Sequence, residues 1–402
     1  MSNFKKIFQQ TFWQIAGKII TSLSTFIILG LVTRNYGKEG TGVFTLALTY
    51  LSMFYLVADF GFNAYVLSRV KGAGFRVQEE WNKLLGTRLI WSMLLVGVAV
   101  GLLPFWPFST PVFIKAVLFG GFAIVASSVF VTCNLIFQGK LRYDLSTLAS
   151  GLGTVIGLVV FVLLSANKFS IPFLLIAHLI SWIAIAGIAL FLTKKLYQQI
   201  SPVFDLAYEK NLFKKSWPIA ATLSLNVLYF RADSFMIAYF KSISDVGIYN
   251  VAYSVFQGAL VLPTFIMNAY YPMLLKSFNG VNRILLGLLG LSLIGTFTIL
   301  IFGRVIIEIL TGGGFNGSTQ SLQILSLGFP AYFVSALFMW ILVAKGRYKS
   351  MFLLYTSGLF LNLILNYIYI PQYSYIAASW TTVISEYFIL GIQVVVLVLK
   401  RK

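Results

Sequence analysis

The chain has 402 residues, of which 59% are hydrophobic and 10% charged. So little polar material leaves no room for a sizeable soluble domain, and the lone cysteine, Cys133, excludes a disulfide or thiolate metal centre within one chain. A formal net charge of +19 would suggest nucleic acid in a soluble protein; in a chain this apolar it points to basic loops on the cytoplasmic face of a membrane, beside anionic lipid headgroups.

Runs of roughly 20 apolar residues are long enough to cross a bilayer as helices. In chain order they are Phe12–Val32, Thr41–Phe62, Leu84–Leu103, Pro111–Phe137, Leu145–Ser165, Ile171–Leu192, Ser216–Phe240, Gly247–Leu275, Ile284–Phe302, Ser321–Ala344, Ser350–Ile370 and Tyr375–Leu399. Twelve spans are therefore expected. The segment before the first run has no short apolar core followed by a small-residue cleavage site, so span one is expected to be retained. Phe4 to Phe8 can lie along the interface as an amphipathic turn.

Lys and Arg set the orientation. With the N-terminus inside, 22 of the 30 basic residues fall in cytoplasmic segments, among them Arg69, Lys71, Arg76, Lys83 and Arg88. Only Arg34, Lys38, Lys115, Lys168, Lys241 and Arg304 fall outside, and Lys18 and Arg231 lie within spans. Both termini are thus expected in the cytoplasm. The longest polar stretch, Thr193–Lys215, reads as a cytoplasmic linker joining an N-terminal lobe (1–192) to a C-terminal lobe (216–402).

The second half echoes the first. Trp13-Gln14-Ile15-Ala16 is answered by Trp217-Pro218-Ile219-Ala220, and Gly42-Val43-Phe44-Thr45-Leu46-Ala47 by Gly247-Ile248-Tyr249-Asn250-Val251-Ala252, at offsets of 204 and 205 residues. Six spans per half gives both copies one orientation, as in parallel-repeat transporters. The expected fold is all-α and membrane-embedded: two pseudo-symmetric six-helix lobes around a central cavity, with substrate meeting spans one, two, seven and eight.

A charge in hydrocarbon costs at least about 2.5–3.5 kcal/mol near mid-membrane, so each one needs a reason. Arg231 and Asp233 sit past the middle of span seven, two residues apart, and so point to different helix faces. Arg231 either lines a polar cavity or neutralises a carboxylate such as Glu386. Lys18, in the inner half of span one, lines a cavity or snorkels to the cytoplasm. His178, mid-span six, is a hydrogen-bonded packing residue or a substrate or proton contact. Glu386, mid-span twelve, serves an interhelical bond or function, and Asp233 can partner a coupling cation. Asp59 at the end of span two reads as a cap or interfacial turn.

No nucleophile and base stand together, so no catalytic residue is assigned and no enzymatic activity is expected. The run Thr311-Gly312-Gly313-Gly314-Phe315-Asn316-Gly317 lacks the Lys-Ser/Thr of a phosphate-binding loop and reads as a surface turn.

The pieces Thr33-Arg34-Asn35-Tyr36-Gly37, Ala58-Asp59-Phe60-Gly61-Phe62, Tyr229-Phe230-Arg231-Ala232-Asp233, Val246-Gly247-Ile248-Tyr249, Pro272-Met273-Leu274, Pro371-Gln372-Tyr373 and Ser385-Glu386 occur in order along nearly the whole chain. In this arrangement the chain resembles the polysaccharide and O-antigen flippases (Wzx-type) of the multidrug/oligosaccharidyl-lipid/polysaccharide exporter superfamily. It departs from their pattern at Ser374, where a glycine is expected after the tyrosine. The resemblance implies movement of isoprenoid-pyrophosphate-linked oligosaccharide across the inner (plasma) membrane by alternating access, without nucleotide or cofactor. It implies a basic cavity for pyrophosphate, for which Arg231 and Lys18 are the matching residues, with Asp233, His178 and Glu386 as further substrate-site candidates and no metal ligand. Membrane lipids are implied partners, with a polysaccharide polymerase and chain-length machinery beyond them, and no nucleic acid. The rivals are an ion-coupled drug exporter of the same superfamily, which would favour cavity carboxylates over basic residues, and a polytopic glycosyltransferase or polymerase, which would need larger charged outer loops.

The topology is open to labelling. In a Cys133→Ser background, Ser244→Cys and Tyr373→Cys are expected to react with an impermeant thiol reagent added to intact cells, and Arg347→Cys is not. Labelling at 347 from outside reverses the orientation.

Overall fold

The computed structural model describes residues 2–69, 77–197, 200–275 and 277–399. Lys71, Arg76, Lys276 and Lys400 to Lys402, counted above among the cytoplasmic basic residues, lie outside them. The described residues are helical throughout apart from turns, with no strand. The helices are α1 (Ser2–Asp59), α2 (Phe62–Arg69), α3 (Val77–Gly101), α4 (Pro111–Gly120), α5 (Ala123–Gly139), α6 (Tyr143–Ala166), α7 (Ile171–Leu196), α8 (Leu206–Phe240), α9 (Ile243–Ala259), α10 (Val261–Leu274), α11 (Val281–Thr311), α12 (Asn316–Ser326), α13 (Phe329–Ala344) and α14 (Tyr348–Leu399).

Eight helical stretches are long and apolar enough to cross a membrane, or nine with α12 and α13 taken as one span bent by 45°. Two of them, Trp13–Leu67 and Lys349–Leu397, run 55 and 49 residues, about twice one crossing. Each is broken internally: α1 at Gly37 (φ 64°, ψ −164°) and α14 at Ser374 (φ 51°, ψ −134°). The all-helical membrane fold expected from the sequence is the one found.

The polarity of α11 shows which solvent surrounds it. Leu286, Ile294, Phe297, Ile301 and Ile309 are exposed along one face, while Ser292, Thr296 and Thr311 are buried on the other. Water would demand the reverse. Lipid accepts apolar side chains outward, and the inward hydroxyls bond to backbone, as Thr296 Oγ1 does to the Ser326 carbonyl at 2.7 Å.

The chain forms two compact units, Met1–Tyr36 with Leu46–Ser224, and Gly37–Thr45 with Leu225–Lys402. In unit one the core gathers Phe62, Val66, Trp81, Leu84, Leu85, Cys133 and Phe137, and the Trp81 indole donates to the Thr132 carbonyl at 2.8 Å. The stretch 193–215, expected to be a linker, holds the end of α7 and the first turns of α8. Between them, Val203 and Ser201 donate backbone N–H groups to Asn82, and Lys83 pairs with Asp205 at 2.7 Å. The Lys83 hydrogen bond holds the Asp205 carboxyl below its usual range, so this clasp is present at neutral pH and loosens as pH falls through that lowered value. This segment is a strap seated on α3.

Unit two contains a close helix crossing. A Cβ on Gly42 would overlap the Ile243 carbonyl, and one on Gly247 the Lys38 carbonyl. Beside it Asn250 donates to Thr45 Oγ1 at 3.0 Å. Lys38 and Ile243, Gly42 and Gly247, and Thr45 and Asn250 are all 205 residues apart, so the contact is symmetrical in the same register as the sequence repeat.

At the break in α14, Ser374 occupies backbone space that only glycine visits without strain, at the position where the sequence departs from its resembled pattern. Gly37 breaks α1 with nearly the same φ and no Cβ. Ser374→Gly is therefore expected to raise stability by about 1 kcal/mol, read as a higher unfolding midpoint of the purified protein in detergent; an unchanged or lower midpoint argues against strain at this position.

Candidate functional site

Asp59 ends α1, where Phe60 and Gly61 take positive φ (48° and 68°) before α2 resumes. Arg88, one turn into the buried stretch of α3, reaches this break. Its Nη2 pairs with Asp59 Oδ1 at 2.6 Å and meets the Asp59 carbonyl at 3.3 Å, and Nη1 donates to Thr132 Oγ1 at 3.2 Å. Arg88 is 1% exposed, and its guanidinium lies over the Phe62 ring at 5.7 Å. Arg88 was counted from the sequence as a cytoplasmic loop charge; it is instead a buried intrahelical residue, because Asp59 offers it a counterion at the same depth. Asp59 is correspondingly half of an ion pair and not merely a cap.

His178 on α7 meets the Tyr55 hydroxyl at 2.8 Å and packs near the Trp182 ring. A hydrogen-bonded packing role accounts for these contacts. Lys18 is exposed on α1, with no ion pair among the described residues.

In unit two, Asp233 on α8 is 2% exposed. Its Oδ2 accepts from the Tyr249 hydroxyl of α9 at 2.6 Å and from Thr382 Oγ1 of α14 at 2.9 Å, and its Oδ1 accepts from Asn366 Nδ2 of α14 at 2.5 Å. Asn366 also donates to Asn362 one turn earlier, at 3.0 Å, and its own Oδ1 is buried without a partner. Three donors suit an ionised carboxylate, and the surrounding oxygens are the hard ligands a monovalent or divalent cation prefers. Among the described residues no group of three His, Cys, Asp or Glu side chains could hold a metal ion, so any cation here would rest on one carboxylate and neutral oxygens. Asn362, Asn366, Thr382 and Tyr249 escaped the sequence reading, although an Asn pair four apart in an apolar helix is a legible signal of a polar seam.

Arg231, two residues before Asp233, is half-buried and forms no ion pair among the described residues. The alternative expectation, an Arg231–Glu386 pair, is not met: Glu386 accepts from the Tyr229 hydroxyl at 3.2 Å. A two-residue step along α8 turns Arg231 away from the Asp233 cluster, and its charge bears on Tyr253 of α9.

The helix composition and the lipid-directed apolar faces define a multi-pass membrane protein. Within that class, the chain belongs to the polysaccharide biosynthesis protein family, whose model matches residues 7–278. No curated protein sequence matches. Among solved structures, the chain is similar to an inward closed conformation of the lipid II flippase MurJ at a TM-score of 0.77 and 14% identity, over 96% of this chain and 87% of that one. It is also similar to an inward-facing multidrug resistance MATE family transporter of the MOP superfamily, at 0.72 and 12%, over 95% and 94%. A MOP superfamily transporter from Pyrococcus furiosus matches at 0.65 and 13%, over 99% and 95%. At these identities the likeness is one of fold.

Removing one member of a buried ion pair strands the other. Arg88→Met is expected to destabilise the purified protein by about 3 kcal/mol, and adding Asp59→Asn to recover most of that loss. Equal midpoints for wild type and Arg88→Met, measured by thermal unfolding in detergent, would show that the pair carries no stability.

Proposed function

We propose that this protein is a flippase that carries isoprenoid-pyrophosphate-linked oligosaccharide from the inner to the outer leaflet by alternating access, for surface polysaccharide synthesis. The observation that carries this reading is Arg231: a guanidinium within an apolar helix, half-buried, with no ion-pair partner among the described residues. Such a charge is costly unless it meets an anion. A planar fork of donors can grip a phosphate with two parallel hydrogen bonds, and low-dielectric surroundings strengthen that grip. Lys18 of α1, with no ion pair among the described residues, is a further candidate for contact with the anion, while the isoprenoid tail stays in lipid. Membership of a polysaccharide biosynthesis family and the fold shared with a lipid II flippase support the substrate class.

The accompanying architecture is twelve crossings, reached by counting each broken helix as two spans and the bent α12–α13 pair as one, and adding α8, in lobes 1–192 and 216–402 joined in sequence by 193–215. Both termini lie in the cytoplasm of a plasma-membrane protein, and a polymerase with its chain-length machinery is the partner that would take the product. Energy comes from an ion gradient, with Asp233 and its ring of oxygens as the seat for a coupling cation. His178 and Glu386 are not needed to hold the anion. A cationic-drug exporter is the second reading, favoured by the two buried carboxyl groups of unit two and the likeness to MATE transporters.

Arg231→Ala is expected to abolish surface polysaccharide, and Arg231→Lys to retain part of it, because Lys keeps the charge and loses the fork. Both variants should accumulate in the membrane at wild-type level. Normal polysaccharide in Arg231→Ala cells removes the pyrophosphate assignment. Resistance to cationic dyes conferred by the wild type, without any effect on polysaccharide, selects the exporter.

A further inference from the structure

Unit two buries two carboxyl groups whose surroundings differ in kind. Asp233 accepts from three donors, so its charge is spread over hydrogen bonds from α9 and α14. Glu386, on the second half of α14 and 4% exposed, is met by hydroxyls alone, the Tyr229 hydroxyl at 3.2 Å and the Ser335 side chain.

Tyr229 of α8 and Ser335 of α13 bond to Glu386, and its charge bears on the phenols of Tyr253 on α9, Tyr332 on α13 and Tyr355 on the first half of α14. None is a Lys, Arg or His, and no ion pair among the described residues includes Glu386. The Tyr332 hydroxyl and the neighbouring Ser385 Oγ are buried without a hydrogen-bond partner, so spare polar capacity surrounds the carboxyl.

A carboxyl removed from water avoids an uncompensated charge by binding either a cation or a proton. A metal ion asks for several carbonyl or carboxylate oxygens, and here the neighbours are phenols and a serine. A proton asks only for the carboxyl itself, with a hydroxyl beside it to hand the proton on. We propose that Glu386 is a proton-exchange site of the transport cycle, distinct from the Asp233 cluster. This rests on the transporter reading and adds its coupling ion. In the step, the carboxylic O–H bond breaks, the proton leaves on a water molecule, and the carboxylate remains until a proton from the other side restores the bond; no electrons change hands.

Difference infrared spectroscopy on the full-length protein in lipid nanodiscs reads the site directly. Wild type is expected to show the C=O stretch of a protonated carboxyl that is absent in Glu386→Gln and shifted in Tyr229→Phe, which removes one of the hydroxyls bonded to it. In proteoliposomes carrying a fluorescent polyprenyl-pyrophosphate-linked disaccharide, a pH gradient with the electrical potential clamped should speed wild-type flipping. Glu386→Gln should lose that response. If Glu386→Gln does not accumulate, Tyr229→Phe carries both measurements. Identical carboxyl bands in wild type and variant at every pH between about 5 and 9, or flipping indifferent to the gradient, overturn the proton site and leave the flippase standing. A Glu386 band that responds to pH in a protein that moves no disaccharide removes the flippase reading instead and keeps the proton site.

Discussion

The intolerance of hydrocarbon for uncompensated charge governs this molecule. Loops and helix ends outside the apolar runs can hold charge at little cost, and most of the basic residues lie there. The few ionisable groups within helices have each been dealt with in a different way, and the differences carry the functional information. Arg88 is neutralised by Asp59 at 2.6 Å. Asp233 has no ion-pair partner among the described residues and accepts from three donors. His178 shares a hydrogen bond with Tyr55. The Arg88 and His178 solutions are complete in themselves. Arg231, Asp233 and Glu386 are the residues for which the protein supplies no opposite charge, and a solution left incomplete in lipid is the mark of a group that meets something from outside the chain.

Backbone breaks follow from the same constraint. A helix that ends inside hydrocarbon strands its terminal N–H and C=O groups, so a break limited to a single residue leaves few of them unpaired. Gly37 and Ser374 each interrupt a very long helix in this way, and at Asp59 the carbonyl freed by the next break is taken up by Arg88. Small residues then allow helices to approach until backbone meets backbone, as at the Gly42 and Gly247 crossing. There the register of the sequence repeat and the register of the contact coincide, which is what descent of both halves from one unit would leave behind.

Much of this was legible in the sequence because membrane helices advertise themselves by length and hydropathy alone. The all-helical fold and the peculiar status of Arg231, Asp233 and Glu386 follow from counting apolar residues and asking which charges interrupt them. Partners were not legible. Arg88 lies close enough to the end of its span to pass for a loop residue, and only the position of Asp59, 29 residues earlier, shows that it is buried. The Asn362, Asn366 and Thr382 ring around Asp233 required knowing which faces of α8 and α14 meet, information that helical periodicity blurs when a helix is apolar all round. The break at Ser374 was hidden for a further reason, since serine gives no hint of a backbone conformation that glycine would have announced.

The contrast between Asp233 and Glu386 shows why residue type alone cannot assign a coupling ion. Both are carboxyl groups deep in apolar helices, and both look alike in the sequence. A carboxylate that accepts from Tyr249, Thr382 and Asn366 is already organised as an anion and can attract a cation without moving its neighbours. One that is met by the hydroxyls of Tyr229 and Ser335 alone has fewer donors to hold its negative charge. Function in such a protein is therefore set by the number and orientation of donors around each carboxyl, and these are determined by which helices the fold brings together.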